Sequence, residues 1–310
     1  MTHIEWIKTM HYAKLKNGHL AAVLGKQIVG LTEAASRLDR PLPATCLHEL
    51  IAAGAKAQTE AEALAKAALQ QKVACVDYDS QLLQSPLGHV KRNIFCIGKN
   101  YAAHAAEIAA KLNEQAVVPE YPVVFTKATN TLSGPNDMIP LHSGITEKID
   151  YEGELAIVIG KRGTNIQPHE AWQYIFGYSC FNDVTARDIQ RRHNQWHLGK
   201  SLDGFAPMGP VVTPTYGQPL DGDITLTCAV NGEERQRAKL ALMIFDIPTI
   251  LATLSKGITL EPGDVIATGT PAGVGMGFTP AKFLQPGDQV EVTIDGTLPL
   301  LNHVATAAAS

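Results

Sequence analysis

An α+β fold is predicted by three features of this chain. Short apolar strands flank an Asn-Gly turn near the start, and a long Ala- and Leu-rich segment follows them. The second half is β-rich and carries two Pro-Gly-Asp turns, each placed just before an apolar run.

Asn17-Gly18 is a hairpin signal, because both residues accept the backbone twist of a tight turn. Strands are therefore expected over residues 12–16, 19–24 and 27–31. Pro41 and Pro43 break the chain, and Leu47 to Gln71 is helical by propensity. Residues 1–76 read as a small α+β accessory unit without an acid–base or metal constellation. Residues 77–91, with Ser85-Pro86 and Gly88, read as a linker, 92–304 as the main domain and 305–310 as a flexible tail.

The main domain opens with an apolar strand, Asn93 to Gly98, followed by a segment holding His104 and Glu107. Three residues apart, these two share a face if the segment is helical. A carboxylate beside an imidazole raises its basicity and fixes its tautomer, as a general base requires; surface His–Glu neighbours are also ordinary. Residues 108–120 are polar and Ala-rich, suited to a lid. Pro122 to Phe125 is a further strand, ending at Lys127, which reads either as a snorkelling side chain or as an oxyanion-binding cation.

The most informative stretch is Asp150-Tyr151-Glu152-Gly153-Glu154, continuing into Leu155–Gly160. Residues two apart share a face of a strand, so its three carboxylates would repel one another unless bulk water or a cation relieves them. A hard divalent ion is one solution, and an exposed edge strand the other. Downstream come a helix near Pro168–Ile175 and a strand, Gly177 to Asp183. Asp183 then opens a helical segment, where capping is the plain reading. His193 and His197 have helical ligand spacing but lack the glutamate of a zinc-protease helix. Gly199 to Gly204 lacks the glycine spacing of a phosphate loop, and the Gly269–Gly277 stretch, interrupted by Pro271, is not a dinucleotide fingerprint. It reads better as a loop whose amides approach a carboxylate. A helix is expected from about Pro248 to Gly257.

Composition excludes several classes. A formal charge of -4 with no basic block argues against nucleic-acid and membrane-surface partners. Residues 1–18 have no continuous apolar core of a signal peptide, and no run reaches membrane-spanning length. Five scattered cysteines without a Cys-x-x-Cys suit reduced thiols and a cytoplasmic location.

Taken in order, Ile97–Tyr101 with His104, Asp150–Ala156, Phe181–Asp188, Gly199–Asp203 and Ala267–Gly275 resemble the fumarylacetoacetate hydrolase family over about residues 90–303. The resemblance implies a mixed β-roll catalytic domain, usually a homodimer. It implies Mg²⁺ or Mn²⁺ held by Glu152, Glu154 and Asp183, with Asp150 outside the ligand set. It also implies a catalytic dyad of His104 and Glu107 on a closing segment, a catalytic Lys200, and substrate contacts from Lys127, Arg187, Gln190 and Thr270. The activity implied is cleavage of a C–C bond in a 2-oxo acid or diacid through an enolate, as acylpyruvate hydrolase or oxaloacetate decarboxylase. Isomerisation of the 2-hydroxyhepta-2,4-diene-1,7-dioate type and non-catalytic binding of a 2-oxo acid are the alternatives.

Overall fold

The computed structural model describes residues 9–115 and 117–306. The hairpin signal is realised as β1 (Met10–Leu15) and β2 (Leu20–Leu24), followed by β3 (Gln27–Gly30). Gly18 sits in the turn at φ 93°, a conformation that glycine adopts without steric cost. Then come α1 (Leu31–Arg37), α2 (Leu47–Gln71), β4 (Cys75–Asp77) and β5 (Leu83–Gln84). The second part of the chain begins with β6 (Ile94–Gly98), α3 (Ala102–Leu112) and β7 (Val123–Lys127). After them lie β8 (Leu132–Ser133), β9 (Met138–Ile139), β10 (Ile149–Asp150), β11 (Gly153–Ile159) and β12 (Ile175–Asn182). Next in the chain are β13 (Thr185–Ala186), α4 (Arg187–Arg192), α5 (His197–Lys200) and β14 (Ala206–Pro214). The chain closes with β15 (Thr225–Val230), β16 (Glu233–Lys239), α6 (Ile247–Ser255), β17 (Val265–Ala267), β18 (Gln289–Ile294) and β19 (Leu300–Val304).

These strands form a large mixed sheet in the order β4-β3-β2-β1-β14-β12-β11-β17-β6-β7, and a second sheet in the order β16-β15-β18-β19-β9. β11 lies inside the large sheet, antiparallel to both β12 and β17. All seven of its residues are buried, which accounts for its unbroken apolar run. Its side chains alternate between two cores, as the period of a strand requires. Leu155, Ile157 and Ile159 face Leu226, Val292 and Leu251 of the second sheet and α6. Ala156 and Val158 share the other core with Leu50 and Leu64 of α2.

That second core corrects the linker expectation. β5 pairs with β1 inside residues 77–91, and Leu83, Leu87 and Val90 of the segment are buried. β1 in turn pairs with β14, with Tyr12 opposite Val212. The amino-terminal strands thus extend the large sheet, and α2 covers one of its faces. Two helix expectations also change. Residues 168–174 are 3₁₀ rather than α, and the helix expected to start at Asp183 begins only at Arg187. Thr185 and Ala186 are instead drawn into a two-strand pairing with Asp150 and Ile149. Of the tail, only Ala305 and Thr306 fall within the described residues.

Close backbone approach makes Gly177 a test of this packing. A methyl group there would meet the Thr213 carbonyl of β14 well inside van der Waals contact. Gly177→Ala is expected to destabilise the fold by ~1–3 kcal/mol, the usual cost of overpacking, read as a lowered thermal midpoint. An unchanged midpoint would show that β12 and β14 are not in this register.

Candidate active site

The site is built where β11, β12, the loop after β17 and the helices α3 to α5 converge on a cavity of about 430 Å³. The acidic pentad does not continue as one strand. Asp150 ends β10, and Glu154 lies in β11. Their carboxylates have different tasks. Asp150, fully buried, accepts hydrogen bonds from the backbone N–H groups of Tyr151 (3.0 Å), Gly275 (2.7 Å) and Met276 (3.0 Å), and from Arg187 Nε (2.8 Å). It pins the glycine-rich loop and Arg187 to the same point.

Glu152, Glu154 and Asp183 form the cluster proper: one oxygen from each lies within 4.8 Å of the others, and all three are buried. Asp183 is no helix cap. Its backbone N–H donates to the Glu152 carbonyl (2.8 Å), and its carboxylate accepts from Lys127 Nζ (2.6 Å) and Lys200 Nζ (2.6 Å). Lys200 also donates to Glu152 Oε2 (2.7 Å) and lies over the Phe125 ring. Arg187 NH2 is 2.7 Å from Glu152 Oε1, but off-axis for a hydrogen bond, so charge alone pairs them there.

Glu154 differs from its neighbours. Its hydrogen-bond donor is the backbone N–H of Gly269 (2.8 Å), with no ammonium or guanidinium in contact among the described residues. Burial first, and then the Asp183 and Glu152 carboxylates, hold Glu154 well above the usual carboxylate range. Burial acts on Glu152 in the same sense, but Lys200 and Arg187 outweigh it and hold that group well below the usual range. Four buried carboxylates thus face three buried cations, Lys127, Arg187 and Lys200. The missing positive charge and an all-oxygen donor set fit a hard divalent cation held by Glu152, Glu154 and Asp183.

On the opposite wall, α3 carries the dyad. His104 Nδ1 is 3.4 Å from Glu107 Oε2, and Glu107 accepts the Gly273 backbone N–H at 3.0 Å and 3.2 Å. The glycine-rich loop therefore approaches three carboxylates, Asp150, Glu107 and Glu154. At Gly269, φ 101° lets the backbone turn its N–H onto Glu154. Thr270 Oγ1 donates to the Gly153 carbonyl (2.9 Å), and Gln190 accepts from Arg187 NH1 (3.2 Å). His104, Lys200, Arg187, Gln190 and Thr270 all line the cavity.

Lys127 does not. Its side chain is fully buried, and its ammonium is spent on Asp183 and the Val184 carbonyl (2.9 Å). The expected substrate contact is corrected to a support behind Asp183. Neither do His193 and His197 form a metal pair: His193 lines the cavity, while His197 Nδ1 lies 3.0 Å from the Thr126 carbonyl.

Sequence reasoning missed Gln236. Its amide donates to Thr270 Oγ1 (2.8 Å) and the Pro271 carbonyl (2.8 Å) and accepts the Gly153 N–H (2.9 Å). It is the one buried polar residue in the charged run Glu233–Lys239, and only the alternation of β16 hints that it points inward. The aromatic wall of Phe125 and Trp196, with ring centroids 5.3 Å apart, was missed as well.

A model of the fumarylacetoacetate (FAA) hydrolase C-terminal family matches residues 93–305. The chain belongs to that family. It is 49% identical over 222 residues, 72% of each chain, to oxaloacetate tautomerase YisK of Bacillus subtilis. It is also similar to the solved fumarylacetoacetate hydrolase of Exiguobacterium antarcticum, at 37% identity and a TM-score of 0.80, covering 96% of this chain and 100% of that one. A third relative is the maleylpyruvate hydrolase of Sphingobium sp. SYK-6, at 27% identity and a TM-score of 0.73, covering 96% and 100% of the two chains. No helix among the described residues is long and apolar enough to cross a membrane.

Burial and the neighbouring carboxylates favour the protonated form of Glu154, so a divalent ion bound through its carboxylate would compete with a proton there. Titration of stripped protein with Mn²⁺ at pH 7 should release about one proton, seen as heat that scales with buffer ionisation enthalpy. Glu154→Gln should abolish that scaling. Buffer-independent heat from the unaltered protein would contradict this account of the charges.

Proposed function

We propose that this family enzyme transfers a proton at the carbon next to the carbonyl of a 2-oxo acid, interconverting keto and enol forms, with a divalent cation at Glu152, Glu154 and Asp183. One observation carries the reading: the His104 imidazole lines the same cavity as the carboxylate cluster, with its Nδ1 turned to Glu107 and Nε2 left for substrate. Proton transfer between carbon and oxygen needs one positioned base and stabilised negative charge on the oxygen, and no water nucleophile. The 49% identity to a tautomerase supports the same choice.

A divalent cation, when bound, supplies Lewis-acid stabilisation of charge on a carbonyl oxygen. The chain's own groups do the rest. Arg187, held by Asp150, presents a fixed guanidinium to an anionic substrate. His104 removes the proton from carbon, the C–H electron pair forms the C=C bond as the carbonyl π pair moves to oxygen, and a proton is returned to that oxygen, so no σ bond other than C–H and O–H changes. Glu107 steadies the imidazolium that forms, and its bond to Gly273 fixes α3 over the cavity. Lys200 adds positive charge beside the reacting end, while Thr270, its hydroxyl bonded to the Gly153 carbonyl, shapes the wall there.

Hydrolysis of an acylpyruvate is the second reading, favoured by similarity along the whole chain to a solved fumarylacetoacetate hydrolase. It would use the same base to activate water.

The test follows loss of the enol absorbance of oxaloacetate with Mg²⁺ present. His104→Ala should lower kcat by about 10²–10⁴-fold if base catalysis is lost. EDTA-stripped protein should be nearly inactive and recover on adding Mg²⁺. Full activity without metal, or in the His104 variant, would refute the proposal.

A further inference from the structure

β11 starts at Gly153, so Glu152 lies just outside the strand. Side-chain amides hold the backbone there. The Glu152 N–H donates to Asn182 Oδ1 (3.0 Å), and the Gly153 N–H to Gln236 Oε1 (2.9 Å). Gln236 belongs to β16 of the second sheet, is buried, and lies outside the lining of the catalytic cavity.

The other end of that amide completes a ring. Gln236 Nε2 donates to Thr270 Oγ1 (2.8 Å), and Thr270 Oγ1 donates to the Gly153 carbonyl (2.9 Å). The second Nε2 hydrogen goes to the Pro271 carbonyl (2.8 Å). The amide therefore has one orientation. Turned over, its NH₂ would face the Gly153 N–H and its oxygen the Pro271 carbonyl, leaving buried groups unpaired. In a buried ring each bond polarises the next, so loss of one member weakens the others.

The ring holds both the N–H and the carbonyl of Gly153, the residue between Glu152 and Glu154. It thereby fixes the directions in which the two carboxylates leave the backbone. It also holds Thr270 and Pro271, which lie between Gly269 and Gly273. The N–H of Gly269 meets Glu154 (2.8 Å), and that of Gly273 meets Glu107 (3.0 Å). Packing leaves no slack: a methyl group on Gly153 would press on Cys228 of β15, and one on Gly273 would overlap the Arg235 carbonyl, next to Gln236.

We infer that Gln236 is a positioning residue for the cation site: through its ring with Gly153 and Thr270 it sets how Glu152 and Glu154 converge, while touching neither ion nor substrate. This rests on the reading of Glu152, Glu154 and Asp183 as ligands. A side chain of the second sheet thereby tunes how tightly the large sheet holds its cation.

The experiment measures Mn²⁺ affinity of the full chain without substrate, from loss of the free-ion paramagnetic resonance signal. Gln236→Met keeps the length of the side chain and removes its hydrogen bonds. It should weaken Mn²⁺ binding by about 10–100-fold, the usual effect of losing a partner behind a ligand. Thr270→Val breaks the ring from the other side and should also weaken binding, whereas Thr270→Ser keeps the hydroxyl and should bind as the unaltered protein does. Because both residues act in one ring, the Gln236→Met/Thr270→Val double variant should lose about as much as the weaker-binding single variant, not the product of the two losses. Leu31→Ala, in the core around α2, should lower the thermal midpoint and leave Mn²⁺ affinity unchanged, which separates positioning from loss of stability. Should Gln236→Met fail to fold, the contrast between Thr270→Val and Thr270→Ser carries the same test. Unchanged affinity in Gln236→Met overturns the inference. So do equal losses in Thr270→Ser and Thr270→Val, multiplied losses in the double variant, or a comparable loss in Leu31→Ala. An unaltered protein that binds no Mn²⁺ overturns the ligand reading as well, whereas tight binding that ignores the ring removes only the role of Gln236.

Discussion

The architecture around the cavity depends on a buried lattice of charge. Glu152 and Asp183 share the Lys200 ammonium, Lys127 supports Asp183 from behind, and Arg187 lies between Asp150 and Glu152. Groups this deeply buried are costly unless each meets opposite charge and full hydrogen bonding. Every other carboxylate of the lattice contacts a cationic side chain, whereas the partner of Glu154 is a single backbone amide. One unbalanced carboxylate in an otherwise neutralised cluster is a structural defect in a resting protein. In an enzyme that recruits a dication it is the necessary condition.

The same lattice sets the shape of the loops. Asp150 takes four donors, three of them backbone amides, and so fixes where residues 275–276 run. Glu107 takes the amide of Gly273 and ties α3 to that loop. Gln236 closes the third side by joining Thr270, Pro271 and Gly153. The wall that carries the base and the wall that carries the carboxylates are therefore held at one distance by backbone hydrogen bonds, which is the preorganisation that proton transfer uses.

Much of this was legible in the residues. The period-two spacing of Glu152 and Glu154, ahead of an apolar run, left a core strand and an exposed edge open, and both carboxylates prove buried, Glu154 in β11 and Glu152 just before it. The hairpin at Asn17-Gly18 follows from local propensity and appears as read, and so does the helix over Leu47–Gln71, apart from a kink at Gly54, whose φ of 77° is not helical. Long-range pairing was not legible. That β1 would extend the catalytic sheet through β14 depends on contacts two hundred residues apart, which no local pattern encodes. Lys127 misled for a related reason. A lysine ending an apolar strand looks like a cation reaching outward, yet its direction is decided by Asp183, from a different strand. Gln236 carried no signal, since its neighbours are charged and exposed and only the pleat of β16 turns it inward.

The central claim is that Glu152, Glu154 and Asp183 together hold one divalent cation. Crystals soaked in Mn²⁺ and measured at the manganese absorption edge test it most directly. The account predicts a single anomalous peak within coordination distance of an oxygen from each of the three side chains, and its loss in Glu154→Gln crystals. No peak at the cluster, with the Lys200 ammonium still bridging Glu152 and Asp183, would contradict it.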